Sequence, residues 1–160
     1  MGRSARERRH GRGPLVALTK EKMHVKRMLA AVVLLAASLG AWAQEKVVYH
    51  FDSGLSQAVK GLRNMRNHLD TDPKAQLVAV THAEGVDFLL EGAKTPDGQE
   101  FASLVQALEN RGVKFEICEI TLRNRKIDKN KFIMGPTFVP SGVVRIANLQ
   151  AREHYAYIKP

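Results

Sequence analysis

The chain has 160 residues, 44% hydrophobic and 26% charged, with a formal net charge of +9 and a single cysteine. This composition excludes a low-complexity disordered chain and a scaffold built on disulfides. The charge is uneven: residues 1–43 hold nine Lys and Arg against two Glu, or +7, so the remaining 117 residues carry only +2 and offer no electrostatic case for nucleic-acid binding.

Residues 1–22 interleave Arg3, Arg6, Arg8, Arg9 and Arg12 with Gly and Ser, without apolar periodicity. A nucleic-acid-binding arm is one reading of this basic leader, and an over-called start with Met23 as the true one is the reading favoured here. The Arg8-Arg9 pair lies far from any apolar core and lacks the flanks of a twin-arginine signal. Residues 23–43 read as a secretory signal peptide. Lys26 and Arg27 precede an uncharged run from Met28 to Trp42, and Ala41-Trp42-Ala43 has the small-x-small form of a cleavage site. The run is shorter than the roughly 20 residues of a spanning helix, so no stable membrane insertion is expected after cleavage. The expected location is the periplasm or the secreted space. Residues 44–160 then suit one domain with a single core.

Lys46 to Phe51 reads as a buried strand, with Asp52 or Ser53 available to cap the next helix. Leu55, Ala58, Val59, Leu62, Met65 and Leu69 recur at helical spacing, and Pro73 ends that helix. Ala75 to Thr81 is a second strand, His82 to Gly85 a turn, and Val86 to Gly92 a short helical segment. Glu100 to Arg111 is a helix with Gly112 as its C-terminal cap. Val113 to Cys118 is a third strand, Glu119 to Arg125 a short helix, and Ile127 to Ile133 a second one. Thr137 to Pro140 is a fourth strand, Ser141 caps a helix through Arg152, and Tyr155 to Ile158 is strand-like. Alternating strands and helices, with strands that are continuous apolar runs, predict a three-layer α/β/α domain around a mostly parallel sheet of about five strands.

Ligands gather at the carboxyl ends of such strands. His50 lies near the end of the first, His82 just past the second and Cys118 at the end of the third, with Asp52, Glu84 and Ser141 in the same loops. In an exported chain a lone cysteine cannot close an internal bridge. Cys118 is therefore an inert core residue, a contact between subunits or a reactive thiol. A helix start behind it, with Arg123, Arg125 and Lys126 nearby, favours the thiolate. Cys118 with His50 and His82 is a donor set for zinc or copper, but no tight ligand spacing supports it, so a metal site is the least favoured reading and no metal ligand is assigned. Asp52 and Glu84 read as acid and base or as exposed turn carboxylates, and Ser141 as a helix cap rather than a nucleophile. His68 and His154 read as surface positions. No Gly-x-Gly-x-x-Gly, Walker loop or Gly-x-Ser-x-Gly elbow is present, and no cofactor is expected.

Val113 to Leu122 resembles the cysteine-bearing segment of the DsrE/DsrF-like family. So do Val139-Pro140-Ser141-Gly142-Val143, Leu149-Gln150 and the closing Tyr155 to Pro160, together with Lys46 to His50 and Asn64 to His68. The resemblance spans about residues 46–160. It implies a flavodoxin-like domain that assembles into trimers or hexamers, and a cysteine, matched by Cys118, that carries sulfur as a persulfide. It implies a donor or acceptor thiol protein as partner and at most a sulfurtransferase-like activity. The alternative is a non-catalytic oligomeric module that binds a small ligand at the strand ends.

Overall fold

The computed structural model describes residues 44–160. The basic leader and the signal peptide expected over 1–43 lie outside the described residues. The elements are β1 (Lys46–Phe51), α1 (Leu55–Thr71), β2 (Gln76–Thr81), a 3-10 segment (Ala83–Leu89), α2 (Phe101–Glu109), β3 (Lys114–Cys118), α3 (Glu119–Arg125), a 3-10 turn (Lys129–Lys131), β4 (Thr137–Val139), α4 (Gly142–Glu153) and β5 (Ala156–Ile158). Every strand pairing is parallel, in the order β4-β3-β2-β1-β5. Among the described residues no helix is long and apolar enough to cross a membrane.

Strand side chains alternate between two faces. Val47, Tyr49 and Phe51 of β1, Leu77 and Ala79 of β2, and Phe115 and Ile117 of β3 join the larger core. There they meet Ala58, Leu62, Met65 and Leu69 of α1, Phe88 and Leu89 of the 3-10 segment, Phe101, Val105 and Leu108 of α2, and Leu122 of α3. Phe51, Phe88, Phe101 and Phe115 are fully buried, each worth roughly 1.5–3 kcal/mol of transfer from water. The opposite face carries Val48, Val78 and Val80, covered by Ile146 and Leu149 of α4. Helices thus flank the sheet on both sides, and the chain adopts the three-layer α/β/α architecture expected from the strand pattern, flavodoxin-like as the family resemblance implies. The edge strands β4 and β5 are only three residues long and partly exposed, unlike the continuous buried runs of β1 to β3.

The winding positions the site. From β1 to β4 the chain steps across the sheet in one direction, with its connections on the larger core side. After β4 it reverses, and α4 carries it back over the other face to β5 beside β1. The connections after β3 and β4 therefore leave on opposite faces, which opens a crevice between two neighbouring strand ends. Cys118 ends β3 and pairs with Val139 of β4.

Three local expectations are corrected. Neither Asp52 nor Ser53 caps α1. Gly54 holds the cap position, and the Gln57 side chain reaches back to accept the Asp52 and Ser53 backbone N–H groups at 2.9 Å each. The segment expected as a helix over Ile127 to Ile133 shortens to the single turn Lys129–Lys131, whose three residues bury nothing. The helical segment after β2 starts earlier, at Ala83, and is 3-10. Gly112 does close α2: its φ of +90° lets Val113 N–H reach the Leu108 carbonyl at 3.1 Å and Gly112 N–H reach that of Glu109 at 2.8 Å.

Candidate functional site

Period-two alternation and register bring the chemistry to one sheet face. His50 follows Val48 by two residues, Cys118 follows Glu116 by two, and His82 follows Val80 by two, so all three point to the α4 side. In register, Thr81 faces both Phe51 and Ile117, which places His82 between the ends of β1 and β3.

Cys118 is 4% exposed and forms the floor of a cavity of about 370 Å³ lined by His82, Ala83, Glu84, Ile120, Thr121, Asn124, Arg125, Ser141 and Val143. Burial alone would raise its pKa. The backbone N–H groups of Gly142, Thr121 and Ile120 and the Thr121 hydroxyl outweigh that and hold it below the ordinary thiol value. These donors come from the first residue of α4 and the first turn of α3, and none closes into a capping hydrogen bond on α3. Thr121 is placed by its other contact: its Oγ1 accepts the Ala83 N–H at 2.9 Å, which leaves the hydroxyl proton for the sulfur. A Cβ at position 142 would lie 3.2 Å from the Cys118 Cβ and 3.4 Å from that of His82, so glycine is what lets the α4 backbone approach both.

The basic residues expected to activate the thiol do not do so. Arg125 donates to the Ala83 carbonyl at 2.9 Å and pairs with Asp87 at 2.7 Å, while Glu119 takes Lys129 at 2.5 Å and Arg123 at 4.0 Å. Oriented dipoles rather than cations account for the lowered pKa.

His82 meets His50 edge to edge. Their Nε2 atoms are 2.6 Å apart, and the ring centres are 4.8 Å apart with 29° between planes. At that distance one nitrogen donates and the other accepts, so the pair shares a proton and the two rings cannot both be charged without separating. His50 Nδ1 sits 2.6 Å from the Tyr157 hydroxyl. Burial, and then the neighbouring His82, lower the His50 pKa against the opposing pull of Asp52. Burial would raise the Asp52 pKa, but hydrogen bonds from Lys159 and Ser53 bring it down to about 2. The Asp52–Lys159 pair spans 2.5 Å.

Of the six site residues read from sequence, His82, Glu84, Cys118 and Ser141 line the cavity, and Ser141 caps α4 through Val144 N–H at 3.4 Å. His50 and Asp52 do not line the cavity: His50 meets His82, and Asp52 lies near both imidazoles and pairs with Lys159. Cys118 does not join the imidazoles as a ligand set; among the described residues the donor atoms that converge are those of His50, Asp52 and His82. Sequence reasoning missed Thr121, Gly142, Tyr157 and Lys159. A threonine three residues after a strand-ending cysteine is a usable signal, since that position delivers an N–H toward the capping residue. The other three depend on the α4 crossover. His68, expected at the surface, instead bonds the Tyr49 hydroxyl at 3.0 Å.

The comparisons agree with this architecture. The sequence pattern of the DsrE/DsrF-like family matches residues 18–160. Among solved structures, the chain is similar to MTH1491 of Methanobacterium thermoautotrophicum, a protein of unknown function, at 30% identity over 73% of this chain and 100% of that one, with a TM-score of 0.66. It is also similar to the ychN protein of E. coli, at 17% identity over 73% of this chain and 99% of that one, with a TM-score of 0.59, a likeness of fold. No curated protein matches the chain. With its family pattern running from residue 18 to the last residue and its parallel five-stranded sheet, this chain belongs to the DsrE/DsrF-like family.

Proposed function

We propose that this protein handles sulfane sulfur, with Cys118 as the persulfide carrier. The observation that supports this most is the electrostatics of the thiol: a nearly buried cysteine that lines a cavity, with N–H and O–H groups nearby that lower its pKa. Such a thiol is a thiolate more often than an ordinary one. In the first step the Cys118 thiolate attacks the outer sulfur of a donor persulfide. A new S–S bond forms at Cys118, the donor's S–S bond breaks, the proton stays on the transferred sulfur, and the donor leaves as a thiolate. Discharge is the same exchange with an acceptor thiolate attacking the outer sulfur and Cys118 leaving. The donors that stabilise the resting thiolate also stabilise it as this leaving group.

The reading includes export. The sequence of residues 23–43 supports it, and the periplasm or secreted space is where the carrier would act. It also includes a homo-oligomer, which family membership supports, together with the exposed Val143 and Val144 at the start of α4. Cold cyanolysis tests the central claim. After exposure to polysulfide and removal of excess, the protein should release one thiocyanate per chain and Cys118→Ser none. Equal release from both proteins rejects Cys118 as the carrier.

A further inference from the structure

We propose that His50, His82 and Asp52 form a binding site for a divalent transition ion of the zinc class, beside Cys118 but without it. Their donor atoms lie within 4.8 Å of one another, and all three side chains are half-buried. Two imidazoles and a carboxylate with one open position match a three-ligand zinc site completed by water. Imidazole donors favour zinc and its neighbours over magnesium or calcium.

The site is also oriented. The Tyr157 hydroxyl holds His50 Nδ1 at 2.6 Å. When Nδ1 donates that bond, the Nε2 lone pair faces His82, the arrangement a metal-binding histidine needs from its outer partner. The two Nε2 atoms, 2.6 Å apart, stand close to the separation of about 3.3 Å set by two tetrahedral Zn–N bonds. A small rotation of either ring reaches it. The ion would take the place of the proton between the two Nε2 atoms, and that proton would move to His82 Nδ1, so that both imidazoles bind neutral.

Lys159 is the competitor. It holds Asp52 Oδ2 at 2.5 Å, while Oδ1 accepts from Ser53 at 3.1 Å and Gln57 at 3.3 Å. The Lys159 side chain is 47% exposed, so it can turn to water at small cost when a cation arrives.

The test is a zinc titration of the untagged protein, by calorimetry and by equilibrium dialysis, at neutral pH. One Zn²⁺ per chain is expected, with Mg²⁺ failing to compete. Cys118→Ser should bind equally well. His50→Gln and His82→Gln should each lose at least tenfold in affinity, Asp52→Asn should bind more weakly, and Lys159→Met more tightly. Co²⁺ provides a readout that needs no variant: its visible bands should appear without the near-ultraviolet charge-transfer band of a thiolate ligand. No saturable binding, binding that survives both histidine substitutions, or binding abolished by Cys118→Ser would each overturn the proposal. None of these outcomes bears on sulfur uptake, which cyanolysis reads separately.

Discussion

A Cβ on Gly142 would lie 3.2 Å from the Cys118 Cβ, and the Gly142 backbone N–H is foremost among the groups that lower the Cys118 pKa. The contact joins the first residue of α4 to the last residue of β3, across the crevice where the sheet reverses its winding. Gly142→Ala should push the two elements apart by a few tenths of an ångström. Overpacking costs about 1 kcal/mol, and losing a helical glycine returns up to about 1 kcal/mol. The melting temperature should therefore stay within a few degrees of wild type, while alkylation of Cys118 by iodoacetamide near neutral pH slows several-fold. An unchanged alkylation rate would remove α4 from the thiol's activation.

Thr121 joins two parts of the site through one oxygen, which accepts the Ala83 N–H and belongs to a hydroxyl that helps lower the Cys118 pKa. Thr121→Val keeps the shape and removes both the Ala83 bond and the hydroxyl's effect on the thiol. It leaves the half-buried Ala83 N–H unpaired, at about 1–3 kcal/mol, and should raise the thiol pKa. Denaturant unfolding and the pH profile of alkylation report the two effects separately. Thr121→Ser should restore both.

Behind the cysteine on the same strand, Glu116 is 6% exposed and receives two bonds from Arg145, at 2.8 and 3.1 Å. Arg145 also reaches Glu153 at 2.6 Å, and these carboxylates hold its pKa above the ordinary value. Arg145→Met strands the Glu116 charge under α4 and should cost about 3 kcal/mol. The double variant Arg145→Met with Glu116→Leu should recover most of it. If the single variant unfolds at the wild-type denaturant midpoint, the pair contributes nothing to holding α4 on the sheet.

Stability should fall on acidification in two windows. His50 has a lowered pKa in the folded protein, so the unfolded chain binds the proton more readily. That contribution is complete above the unfolded value of about 6.5 and declines as the pH falls below it. Asp52 is lowered to about 2, so its contribution is present above about 4 and is lost as the pH falls toward 2. With Lys159 half in water, the Asp52 share is about 1 kcal/mol. Urea midpoints from pH 8 to pH 3 should show both slopes. His50→Gln should flatten chiefly the upper one, and Lys159→Met chiefly the lower one.

Much of this site was legible because strand periodicity is simple. His50, His82 and Cys118 stand at their strand ends on one face, and Phe51 and Ile117 beside them are core on the other. Ser141 as a cap and Gly112 as a helix stop were equally readable, because each depends on local backbone geometry alone. What could not be read depends on pairings distant in sequence. Tyr157 reaches His50, and Lys159 reaches Asp52, only because β5 returns to the outside of β1. The basic run after Cys118 misled for a related reason: Arg125 is drawn to the Ala83 carbonyl, 42 residues earlier, and to Asp87 of the same 3-10 segment. Ala83 itself adopts a φ of +49°, held by its bonds to Thr121 and Arg125. Nothing about an alanine announces that geometry.

The central claim is that Cys118 takes up sulfur as a persulfide, and intact-protein mass spectrometry after incubation with a polysulfide donor tests it most directly. The protein should gain the mass of one sulfur atom. The gain should map to the Cys118 peptide, disappear on reduction and be missing from Cys118→Ser. A folded protein whose mass does not change under these conditions, with Cys118 also inert to iodoacetamide, would contradict the account.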